Sequence, residues 1–140
     1  MTTLLSRATL IYISLLFLFI GTLVELLLLG HFEDVWQLVP LIILGAALLC
    51  FAILQFSTSD ILALIFRIIM VGSMVSGLLG VWFHLKANYE FEVEMYPNIG
   101  GWKLVTEMLT GAIPALAPGS MVVVGLIGIL YTLEKSNNHE

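Results

Sequence analysis

The sequence predicts an all-α integral membrane protein: a four-transmembrane-helix bundle with a short extended and interfacial-helix segment between its third and fourth helices. Three observations predict it. Four apolar runs, at roughly 8–30, 38–56, 61–85 and 112–133, each match the ~20 residues an α-helix needs to cross ~30 Å of hydrocarbon. The chain is 60% hydrophobic and 11% charged with mean hydropathy +1.08, whereas a soluble domain carries about a quarter charged residues. The runs are also continuous, which excludes a barrel of ~10-residue alternating strands, and backbone polar groups in lipid then require helices. The 140 residues are expected to form a single transmembrane domain with an outer-face segment at 86–111, leaving no room for a soluble catalytic domain.

The first run follows the single basic residue Arg7 and is too long for a signal-peptide core, so it reads as a retained signal anchor. Its one charge, Glu25, lies about five residues below the outer end, roughly one and a half turns into the apolar layer. An intramembrane carboxylate is a functional-site hypothesis by default, with helix-packing hydrogen bonds as the competing explanation. The second run holds the only cysteine, Cys50, which reads as a buried apolar thiol. The third opens after the Ser57-Thr58-Ser59-Asp60 turn and carries Arg67 about six residues inside, some 15 Å from the depth of Glu25. The two are too far apart to pair, and Arg67 is expected to snorkel to the near interface with Asp60, two turns earlier, as its partner. Gly72, Ser76 and Gly80 follow at four-residue spacing, a pattern that lets helices approach closely within the chain or against a partner.

Between the third and fourth runs, Asn88 to Pro97 alternate apolar and acidic residues with period two, which predicts an extended strand with Glu90, Glu92 and Glu94 on one face. Such an edge needs a cover, so these acids are read as partner-facing. Trp102 to Leu109 has helical spacing and a Lys103/Glu107 pair four apart, predicting a helix at the interface. The fourth run begins with Pro114 and Pro118 ahead of Ser120, so residues 112–117 are expected to be non-helical chain at about the depth of Glu25, with the helix starting near Pro118. Freed amides and carbonyls at such a break could hold a carboxylate or a cation.

His31 and His84 are expected to close helices 1 and 3 at the same outer face, near Glu25, Glu33 and Glu107. That set is the candidate cation or metal site. Imidazole with carboxylate suits zinc, iron, copper or manganese, and a histidine pair alone could instead ligate haem iron. The spacing matches no Glu-x-x-His di-metal, Cys-x-x-Cys-His or His-x-x-x-His pattern, and no catalytic residues are assigned. Arg7, Arg67 and Lys135 against Lys86 and Lys103 place the termini in the cytoplasm of a multi-pass protein. Partners are then the lipid bilayer and a homo-oligomer or larger membrane complex, with no nucleic acid. Four short helices enclose too little space for transport by one chain. The favoured expectation is a non-enzymatic subunit of a membrane assembly. An oligomeric cation or proton pathway through Glu25, or a metal or haem redox protein using His31 and His84, are the alternatives.

Overall fold

The computed structural model describes residues 6–137, and among them every regular element is a helix. In chain order these are α1 (Arg7–Leu28), α2 (Val35–Leu54), α3 (Asp60–Met95), α4 (Gly101–Thr110) and α5 (Gly119–Asn137). All but α4 are long and apolar enough to cross a membrane. Helices α1, α2 and α3 each have a first amide satisfied by a short polar side chain. Ser6 Oγ accepts from Thr9 N at 3.1 Å, Asp34 Oδ1 from Trp36 N at 2.7 Å, and Ser59 Oγ from Leu62 N.

Helix α1 ends where Gly30 takes φ +65°, a left-handed conformation that disfavours any side chain. The amide of His31 then donates to Leu26 O at 2.9 Å and that of Gly30 to Leu27 O at 3.1 Å, which is the paired closure of a Schellman motif. The turn thereby fixes the backbone position of His31.

Among the long helices, α1 packs on α2 and α5, and α3 also packs on α2 and α5, so the four close in the order α1, α2, α3, α5. One aromatic ring from each meets at the centre. Phe51 lies 5.6 Å from Phe19, 6.2 Å from Phe66 and 5.0 Å from Tyr131 between ring centroids, all within the range of favourable aromatic pairs. The α3–α5 contact is the closest. A Cβ on Gly77 would sit 2.8 Å from Pro118 O, and one on Gly80 2.6 Å from Pro118 Cβ. Buried Ser73 donates its hydroxyl to Met121 O at 2.8 Å across the same seam. Small residues on α3 are therefore occupied within the chain at Gly77 and Gly80, while Gly72 has open space around it.

The expected strand at 88–97 is not formed: these residues continue α3 to Met95. The alternation of acids is overridden because a helix already nucleated extends at little cost, whereas a lone strand has no ladder partner. Nothing between Trp82 and Met95 breaks a helix, and it ends at Tyr96, the residue whose helical conformation Pro97 disfavours. At 36 residues α3 is about 54 Å long, so close to half of it lies beyond what the hydrocarbon needs. Other boundaries also move. Helix α1 stops two residues short of 30 and α2 begins at Val35 rather than 38, whereas α5 begins at Gly119, beside Pro118 where the run of 112–133 was expected to turn helical. His84 consequently lies inside α3 rather than closing it.

Candidate functional site

Polar residues gather at two opposite ends of this ring of helices. At the first, the ion pair of Arg7 Nη2 with Glu134 Oε2, 2.6 Å, ties the start of α1 to the end of α5. The Lys135 ammonium donates to Leu54 O at the end of α2 and to Ser57 O in the turn after it, so the start of α1, the end of α5 and the α2–α3 turn lie together. Arg67 does not pair with Asp60. Its Nε donates to Thr132 Oγ1 at 2.9 Å, and the buried Thr132 hydroxyl in turn donates to Ile129 O at 2.8 Å. An open cavity of about 410 Å³ lies here, lined by Ser57, Ser59, Asp60, Arg67, Thr132 and Lys135 among others. Sequence reasoning missed it. Thr132 stands 65 residues from Arg67 and has no motif to mark it, whereas the hydroxyl run at 57–59 followed by Asp60 and Arg67 was a visible signal.

The opposite end holds the α1–α2 loop, the projecting half of α3, α4 and the chain between α4 and α5. Residues 111–118 are non-helical, with Ala117 N bonded to Pro114 O and Gly119 N to Leu116 O in successive turns. Two residues of α3 hold this segment. His84 Nδ1 lies 2.9 Å from Pro114 O, the geometry of a donated hydrogen bond when that nitrogen carries the proton. Asn88 makes three bonds: its amide donates to Met108 O at 2.9 Å and Ile113 O at 2.8 Å, and its oxygen accepts from Ile113 N at 3.1 Å. Asn88 is buried, and so is Glu92 one turn further on the same face of α3, whereas Glu90 and Glu94 stay exposed. Of the three acids read as partner-facing, Glu92 is thus turned inward. Glu90 also faces Lys86 at 3.5 Å, an i,i+4 pair only a helix permits. Asn88 went unnoticed in the sequence because the segment was read as a strand. As a helix, His84, Asn88 and Glu92 form one stripe at spacing four.

The candidate metal set is only partly brought together. His31 and His84 are near enough for like-charge repulsion. Burial first, then His84, pushes the His31 imidazole below its ordinary value, while Asp34 pulls the other way. Glu33 is exposed, Glu107 lies half-buried on α4, and among the described residues no three His, Cys, Asp or Glu side chains converge as a metal would require. Glu25 does not face the break at 111–118 through any hydrogen bond. The inward stripe of α1 is Leu15, Phe19 and Thr22, and Glu25 falls on its flank, exposed, with no hydrogen-bond or ion partner among the described residues. Gly21, four residues earlier on that flank, has nothing within 4 Å of where a Cβ would be.

No protein-family model, no curated protein and no solved structure matches this chain.

Proposed function

We propose that the chain is a non-enzymatic subunit of a membrane assembly, spanning the bilayer four times with both termini in the cytoplasm and joined to neighbouring copies or another protein through the flank of α1. The position of Glu25 carries this reading. A carboxylate that faces hydrocarbon is costly, by a few kcal/mol at mid-membrane and by less toward an edge, and a short side chain cannot snorkel as an arginine can. Among the described residues nothing pairs with it, so a partner surface that offers it a hydrogen-bond donor or a cation removes that cost. The open space at Gly21 on the same flank suits a closely approaching helix. Only 17–33% of the residues in each apolar stretch are buried, which leaves ample outward surface for such contacts.

The reading is tested by extracting the protein with its lipid in copolymer discs and measuring the protein mass by light scattering. The expected result is a multiple of 15.4 kDa or a stoichiometric second protein, with Glu25→Leu dissociating the assembly and Gly21→Cys cross-linking across it. A 15.4 kDa species made more heat-stable by Glu25→Leu would sink it, since that is how a lipid-facing carboxylate behaves when replaced. A cation or proton pathway through Glu25 starts from the same assembly, because an outward carboxylate can line water only between chains.

A further inference from the structure

The cavity beside the start of α1 and the end of α5 lies outside the reading built on Glu25, and its lining is rich in hydroxyls and charge. In a chain of net charge −5, it gathers two cations, Arg67 and Lys135, against one carboxylate, Asp60, with hydroxyls from Ser57, Ser59 and Thr132 around them. We infer that this cavity is an anion site that takes a phosphate-bearing group.

The guanidinium is the central element. Thr132 holds it by Nε alone, and Thr132 is itself locked by its bond to Ile129 O, so the side chain is oriented rather than loose. The terminal nitrogens Nη1 and Nη2 have no hydrogen-bond or ion partner among the described residues. An arginine tethered on one edge with its terminal fork open is arranged for two parallel hydrogen bonds to a tetrahedral oxyanion. Lys135 spends donors on Leu54 O and Ser57 O, which fixes its ammonium at the rim and keeps a positive charge there without a carboxylate partner among the described residues. The start of α3, capped by Ser59, adds the positive end of a 36-residue helix. Asp60 opposes an anion and keeps the site from being saturated with positive charge. The volume, about 410 Å³ and open on one side, admits a phosphate with an attached polar group. Basic pockets between helices at headgroup depth are where phosphates of anionic lipids lie, and free phosphate offers the same chemistry from the aqueous side.

The test uses purified protein in a maltoside detergent and follows its thermal unfolding. One arm adds phosphatidic acid against phosphatidylcholine, and the other adds inorganic phosphate against potassium chloride of equal ionic strength. The wild type is expected to be stabilised in at least one arm, and which arm responds identifies lipid headgroup or solute as the source. Arg67→Gln should weaken apparent affinity about tenfold, while Arg67→Lys retains part of it, as loss of a bidentate charged contact predicts. Asp60→Asn should tighten binding about threefold by removing the one opposing charge. If Arg67→Gln does not fold, Asp60→Asn decides alone through its opposite sign. Stabilisation in neither arm, or an Asp60→Asn affinity equal to or below wild type, overturns the proposal.

Discussion

The two ends of the helix ring are built on opposite plans. At the end where α1 starts and α5 stops, charged side chains reach from one helix to another: Arg7 to Glu134, Arg67 to Thr132, Lys135 to the end of α2. At the far end the cross-links run from side chain to backbone, through Asn88 and His84, while the carboxylates Glu33, Glu90 and Glu94 stay outside. The difference shows what each end must solve. Where helices start and stop, orphan carbonyls and amides invite long cationic side chains and caps. Where the chain leaves helix between α4 and α5, the freed groups lie against α3, and a compact side chain with both donors and an acceptor satisfies three of them at once, with Glu92 buried one turn further on.

The sharpest way to break this comparison is Asn88→Ala. It leaves Met108 O, Ile113 O and Ile113 N without Asn88, and because these groups are only partly buried and water can reach some of them, the far end should lose about 1–3 kcal/mol. Hydrogen exchange should quicken across 100–118 while α1 and α2 keep their protection. Uniform quickening would show that the ends are not separable. Gly30→Ala comes next. Forcing a side chain into φ +65° costs about 1–2 kcal/mol, and because the same turn seats His31, faster exchange should be confined to 26–34. An unchanged unfolding midpoint would mean the turn relaxes freely.

The smallest effect is a pH dependence. His31 binds its proton less readily when folded than when unfolded, so near and below its ordinary pKa of about 6.5 the unfolded state holds more protons. The stability difference is absent well above that value and grows against the fold as pH falls through it toward the lowered folded value. Thermal midpoints taken from pH 8 to pH 5 should therefore fall less for His31→Gln than for the wild type. Identical profiles would remove His31 from the acid sensitivity of the far end.

Much of this architecture is legible in the residues. Continuous apolar runs of membrane length have one backbone solution, so α1, α2, α5 and the first part of α3 follow directly. The segment after Lys86 is not so constrained. Ten residues alternating acid and apolar fit a strand, yet the same residues place Lys86 beside Glu90 and Asn88 beside Glu92 on a helix. What decides is continuity with a helix already formed, a tertiary fact invisible to local periodicity. The site was harder still. Histidines and carboxylates drew attention because their chemistry is familiar, whereas the cavity at the other end is assembled from the α2–α3 turn, α3 and the last turn of α5. The flank on which Glu25 falls depends on which stripe of a uniformly apolar α1 turns inward, and a helix apolar all round does not announce that stripe.

Helix α3 carries Asp60 and Arg67 near one end and Asn88 and Glu92 near the other, with no proline between them. It is a single stiff rod of about 54 Å, and a tilt of about 10° sweeps its far end through roughly 9 Å. The half of α3 beyond Trp82, with α4 packed on it, is therefore a lever arm. A displacement at Glu90 or Glu94 is carried along the same helix toward Arg67, near the opposite end of the ring.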